Sequence, residues 1–161
     1  MSAQVLFVWA VQWHEIAGEQ LVRAEQARQD DDLGAELRTA LTTIAACAFA
    51  VESEVERVNM PEATTKPIPA FTPKPNRGEW IGHALVEQGL LTASEAHSVG
   101  YVFHLRNESV HPTHSWEEIR APHPAGAPGT VPKARATYTV EAARDAVQAM
   151  GLALAALATL A

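Results

Sequence analysis

Apolar residues recur at steps of three and four along most of this chain, which is the spacing of one buried helix face. The pattern is clearest in the second predicted helix, whose recurring positions are Leu33, Leu37, Leu41, Ile44, Ala48, Val51, Val55 and Val58. The same spacing predicts a first helix from about Ser2 to Gln29 and a fourth from Thr92 towards Val110. No segment alternates apolar and polar residues over a β-branched run, so the pattern predicts no sheet.

Short local signals mark where the helices begin and end. The acidic turn Asp30-Asp31-Asp32 ends the first helix and offers N-cap residues for the second. Thr92 and Glu95 form a capping box at the start of the fourth helix. A short third helix is predicted at about 78–88, and the last helix begins near Thr139 and continues to the C-terminus.

Two proline-rich segments, at about 61–75 and 113–136, separate the helices and are predicted to be long loops. The chain has 161 residues, of which 47% are hydrophobic, and this is the size of one domain with a substantial core. The prediction is an all-α fold: a single domain spanning residues 1–161, built as a bundle of about five helices. The single cysteine, Cys47, lies in an apolar run and is expected to be a buried, inert thiol.

Charge argues against a protein that coats nucleic acid without specificity, because the net charge is −7 and such proteins need a basic surface. The acidic residues are concentrated on the predicted helices, whereas both loops are locally basic. Either these loops are simply solvated, or they form an anion-facing rim whose candidate RNA contacts are Arg77, Arg120, Lys133 and Arg135.

The apolar ends of the chain do not predict a membrane protein. The run from Val5 to Val11 has no preceding basic residues and no small-residue cleavage site, so it is a poor signal peptide. The apolar stretch from Met150 to Ala161 is far shorter than the roughly 20 residues needed to cross a bilayer. We therefore expect a cytoplasmic protein with no membrane partner.

The most concentrated chemical signal lies at the end of the fourth predicted helix. Ala96, Val99, Phe103 and Val110 form an apolar stripe, and Arg106 lies on it between Phe103 and Val110. A guanidinium on an apolar face must be paired or must lie at a functional site. A salt bridge to Glu52 or Glu56 of the second helix is the structural alternative. Asn107 follows 100° further round the helix, and His111 stands before the proline that ends it.

Arg106-Asn107-Glu108-Ser109-Val110-His111 resembles the Arg-x(4–6)-His signature of HEPN domains, which are small all-α bundles whose motif often has a polar residue after the arginine. The resemblance implies a metal-independent endoribonuclease without cofactors, in which two copies of the motif meet across a homodimer. It implies RNA as substrate, a role as a toxin or phage-defence effector, and an antitoxin or regulatory protein as a further partner. The family's tyrosine two residues after the histidine, a target of partner nucleotidyltransferases, is Thr113 here, so that regulation is not expected.

The motif's residue types suit RNA cleavage by the ribose 2′-OH. His111 can serve as general base or acid near neutral pH, and Arg106 can bind the phosphate and stabilise its added charge. Asn107 could orient the histidine or hold a phosphate oxygen, and Trp116 could stack on a base. A second match to the spacing, Arg77 to His83, is set aside because it straddles a loop and a helix start.

Two other classes of function stay open. A non-catalytic HEPN-like module would bind RNA, a nucleotide or a partner protein, and its Arg106 and His111 would hold phosphate or lock the bundle. A purely structural helical partner of a second protein is the third possibility. A metal site is not favoured. Although His97, His104 and His111 recur every seven residues, no second helix offers a matching set of ligands.

Overall fold

The computed structural model describes residues 3–60, 76–110, 120–126 and 129–161. Within these residues the chain forms six helices and one small sheet: α1 (Ala3–Gln29), α2 (Leu33–Val58), α3 (Arg77–Glu87), α4 (Ala93–Val110), β1 (Arg120–Pro122), β2 (Thr130–Pro132), α5 (Lys133–Thr137) and α6 (Val140–Ala158). The protein is therefore an all-α helical bundle, which confirms the fold class that the apolar periodicity predicts.

The first two helices fold back on one another as a long helical hairpin. Asp32 caps α2, because its side chain accepts hydrogen bonds from the backbone N–H groups of Gly34 and Ala35. At the other end of α2, Asn59 adopts the left-handed conformation (φ 51°) and closes the helix. Both boundaries agree with the sequence, since each depends on hydrogen bonds between residues only a few positions apart.

The core lies where α2 and α6 meet α1, α3 and α4. Its largest fully buried apolar side chains come from four helices: Ile44, Leu85, Val99, Phe103, Val140, Met150 and Leu157. Cys47 is completely buried among them, and this burial raises the pKa of its thiol to about 12. A thiol with that pKa is an unreactive core residue.

Capping boxes open both helices of the α3–α4 pair. Asn76 and Glu79 bond reciprocally at the start of α3, and Thr92 and Glu95 do the same before α4. Gly89, with a φ of 73°, provides the left-handed residue between the two helices.

The sequence predicts a loop over 113–136, and within the described part of that segment, 120–126 and 129–136, the prediction is wrong. β1 and β2 pair antiparallel, with Ala121 opposite Val131, and α5 follows directly. Each strand has only three residues, the last of which is a proline, so neither strand is long enough to show an alternating pattern. The second proline-rich segment, 61–75, lies outside the described residues.

A buried carboxylate joins four elements at one end of the bundle. Glu36 of α2 is 1% exposed and accepts hydrogen bonds from Nε and Nη2 of Arg28 in α1 and from the backbone N–H of Val140 in α6. His123, after β1, brings its Nε2 to 3.6 Å from Glu36 Oε2. Its Nδ1 accepts from the N–H of Ala125, which assigns the imidazole proton to Nε2. The hairpin and α6 are therefore anchored on α2 by one charged group.

Among the described residues, α2 is the one helix long and apolar enough to cross a membrane, with a mean hydropathy of 1.2 over its most apolar stretch. Half of that stretch is buried inside the bundle, and the core helices of soluble proteins share both properties. The expected cytoplasmic location stays a prediction.

Candidate arginine site at the end of helix α4

Arg106 lies near the end of α4, on the stripe that its spacing predicts. Val99 and Phe103 of that stripe are fully buried, and the Arg106 side chain is 20% exposed. Its Nη2 donates to Oε1 of Glu52 on α2 at 3.2 Å. Its guanidinium carbon lies 5.5 Å and 5.6 Å from the ring centres of Phe49 and Phe103, within the range of cation–π attraction. The guanidinium is thus held between two rings and one carboxylate.

A second arginine contacts the same carboxylate oxygen. Arg77, the first residue of α3, brings Nε to 3.6 Å from Glu52 Oε1, and its Nη2 donates to Glu56. The sequence predicts that Arg77 lies at the end of a basic loop, as a candidate RNA contact. Its residue type pointed to an anion, but its partner on another helix could not be read from local sequence.

The close approach of α3 to α4 explains why the two arginines meet. Gly78 packs directly on Phe103: a Cβ built at Gly78 would lie 2.5 Å from the ring. Any larger side chain would force the two helices apart. Because Arg77 precedes Gly78, this contact keeps its guanidinium beside Glu52.

Near the rest of the motif, the end of α4 is hydrogen-bonded to the segment between α5 and α6. Tyr138, between α5 and α6, donates its hydroxyl to the carbonyl of Leu105 at 2.9 Å. Burial, reinforced by the nearby Glu108 carboxylate, raises the pKa of Tyr138 to about 12, so the hydroxyl remains a donor at neutral pH. Nothing in the local sequence pointed to Tyr138, since its partner is 33 residues away. Asn107 is half-buried, and its side chain makes no hydrogen bond to any described residue.

The acid–base residue of the expected site is not part of the described structure. His111 and Trp116 both lie outside the described residues, so their predicted roles stay predictions. Within the motif, the structure describes Arg106 and Asn107 and brings Arg106 together with Arg77.

The remaining basic residues that were candidate RNA contacts lie on β1 and α5. Arg120 donates Nε to the hydroxyl of Thr130 at 3.1 Å, and its Nη2 donates to the carbonyl of the same residue, so its described contacts lie across the hairpin. Lys133 and Arg135 lie on α5, where Arg135 is exposed. None of the described contacts of Arg120 reaches Arg77 or Arg106.

A second depression of the described surface lies elsewhere. A groove of about 680 Å³ runs between α4 and α6, with Val102, Leu105 and Leu152 among its apolar lining and the exposed Tyr101 at its side. The depression beside Arg77 is about 360 Å³, open to solvent, and lined by Phe49, Glu52, Ser53, Glu56 and Arg77. It is the candidate site because Arg77 lines it together with Glu52, the carboxylate that Arg77 shares with Arg106.

No set of three His, Cys, Asp or Glu side chains within the described ranges is arranged to hold a metal ion. His104 instead stacks on Tyr101, with ring centres 5.9 Å apart, and its Nε2 lies 4.0 Å from Glu108.

Comparisons with protein-family models, with curated proteins and with solved structures found no match to this chain. The resemblance to HEPN domains therefore rests on the motif, on the helix that carries it and on the all-α layout.

Proposed function

We propose that this protein is a metal-independent endoribonuclease of the HEPN type, acting as a toxin or phage-defence effector. Its active site would combine Arg106, Asn107 and His111 from each of two copies in a homodimer. The observation that supports this most directly is the Arg106 guanidinium, which lies on an otherwise apolar stripe, close to a second arginine. Two cations at one partly open site suit a phosphate ligand.

The proposed reaction is attack of the ribose 2′-OH on the adjacent phosphorus. The O–P bond to the 2′ oxygen forms and the bond to the 5′ oxygen breaks, which leaves a 2′,3′-cyclic phosphate and a free 5′-hydroxyl. One His111 takes the 2′-OH proton and the His111 of the second copy gives a proton to the leaving oxygen. Arg106 stabilises the charge that builds on the phosphate oxygens.

One observation favours a second function. Arg106 already forms an ion pair with Glu52, and an arginine that joins two helices can serve the fold alone. In that case the protein is a non-catalytic helical module that binds RNA, a nucleotide or a partner protein.

RNA cleavage in excess EDTA separates the two functions. The wild type is compared with Arg106→Ala and His111→Ala, on structured and unstructured RNA. The matched control is Arg144→Ala, which removes another arginine that pairs between helices, Arg144 with Glu25 at 2.8 Å. We expect each motif variant to lose about 100-fold or more of the activity, since acid–base groups and oxyanion donors contribute at least this much.

The folding and assembly of each variant are measured beside its activity, by circular dichroism and analytical ultracentrifugation. Cleavage that is lost in both motif variants and kept in Arg144→Ala, with the dimer intact, supports the nuclease. A wild-type protein that is monomeric, or that cuts none of the RNAs, contradicts the composite site and favours the binding module.

A further inference from the structure

The hydrogen-bond donors of Arg106 are only partly satisfied by its ion pair with Glu52. Its Nη2 donates to Glu52, but its Nε is buried and has no acceptor among the described residues. The protein contains an arginine for comparison: Arg28 directs both Nε and Nη2 at the two oxygens of Glu36. That bidentate arrangement is the usual geometry of a structural arginine–carboxylate pair. Arg106 has donor capacity left over, which a buried donor in a purely structural role rarely has.

The position of Glu52 explains why Arg106 is left incomplete. A single oxygen, Oε1, faces Nη2 of Arg106 at 3.2 Å and Nε of Arg77 at 3.6 Å. The carboxylate is therefore shared between two cations from two different helices. Without it, the two guanidinium groups would repel one another at close range.

The ion pair between Arg77 and Glu56 can be exchanged at little cost. The Glu56 side chain is 55% exposed, and exposed ion pairs contribute little to stability because water screens them. The open depression beside the pair gives an incoming anion access to this side of the cluster. The rings of Phe49 and Phe103 lie close to the Arg106 guanidinium and attract it independently of Glu56.

We propose that Arg77 and Arg106 together bind one phosphate group of an RNA strand, and that Glu52 is the positioning residue that holds both guanidinium groups for it. The choice of RNA as the ligand rests on the proposed function, but binding does not require cleavage. Arg77 then belongs to the site itself and is not a loop contact, and Glu52 acts only through the two arginines.

The test measures binding of a fluorescently labelled, fully 2′-O-methylated RNA oligonucleotide, which has no 2′-OH to attack. Fluorescence anisotropy gives Kd over a range of salt concentrations. We expect Arg77→Ala to weaken binding about tenfold, and to reduce the slope of log K against log salt by about 0.7, the value for one lost phosphate contact on a single strand. Arg144→Ala is the control and is expected to keep the wild-type affinity and slope.

The role of Glu52 is tested by two substitutions. Glu52→Ala frees both arginines and is expected to weaken binding about as much as Arg77→Ala does. Glu52→Gln keeps an oxygen that both guanidinium groups can share, so it is expected to restore at least wild-type affinity. Glu25→Ala, which removes the carboxylate that pairs with Arg144 between α1 and α6, is the matched control and is expected to bind normally. A merely structural Glu52 would change stability without changing the salt slope.

The outcomes separate this site from the nuclease. Wild-type affinity and slope in Arg77→Ala would overturn the two-arginine site, even if the protein cuts RNA. Equally weak binding by Glu52→Gln and Glu52→Ala would overturn the positioning role. Binding that depends on Arg77 and Glu52, in a protein that cuts no RNA, would support the site and contradict the nuclease alone.

Discussion

Replacing Glu36 tests whether one buried carboxylate holds α1, α2, α6 and the β1–β2 hairpin together. Glu36 is fully buried and receives two hydrogen bonds from Arg28 and one from the backbone of Val140. The substitution Glu36→Gln keeps the size of the side chain but removes its charge. Glu36→Ala also removes the acceptor of the Val140 N–H and leaves a cavity.

The structure sets the size of the expected losses. Glu36→Gln weakens a charge-assisted pair, which costs about 1.5–3 kcal/mol, while Arg28 keeps its second partner, Glu141. Glu36→Ala adds an unsatisfied buried N–H and is expected to cost about 3–5 kcal/mol in total. For a chain of this length, the smaller loss corresponds to a fall in Tm of about 3–12 °C.

Urea unfolding followed by circular dichroism at 222 nm gives the free energy of unfolding of each variant. The control is Glu25→Gln, which removes the charge of an ion pair with Arg144 at the surface. We expect this control to lose less than about 1 kcal/mol, because water screens the pair. A Glu36→Gln variant as stable as the control would refute the reasoning, since burial would then add nothing to the pair.

Three further outcomes follow from the same structure. Gly82→Ala is expected to destabilise the protein by about 1–3 kcal/mol, because the new Cβ would lie 2.8 Å from the carbonyl oxygen of Ala96. Gly151→Ala is expected to stabilise it by about 0.5–1 kcal/mol, because the new Cβ has no atom within 4 Å. The thermal unfolding of the two variants is compared. The hydrogen bonds from Arg28 lower the pKa of Glu141 to about 2, so the unfolded chain binds more protons between pH 4.5 and 2. The stability that Glu141 contributes is therefore present above pH 4.5 and lost as the pH falls towards 2, and urea midpoints of Glu141→Gln should fall less steeply over that range than those of the wild type.

How much of this protein can be predicted from local sequence is clearest at the helix boundaries. Asp32 and the pair Thr92–Glu95 mark helix starts, because a capping side chain bonds to a backbone group two or three residues away. The periodic apolar face of α2 predicts a core helix for an equally local reason. The hairpin of three-residue strands was missed, because its pairing joins residues about ten positions apart and leaves no periodic trace.

The candidate site, too, could be predicted from the sequence only in part. The sequence by itself determined that Arg106 stands on an apolar stripe and therefore needs an anion, since that depends only on the helical repeat. The sequence offered Glu52 or Glu56 as that anion, and only the tertiary structure decided that Glu52 supplies it and that Arg77 shares it. The three side chains come from three helices, and the contact of Gly78 with Phe103 brings two of those helices close enough. Distances between helices are set by packing, which no local pattern encodes.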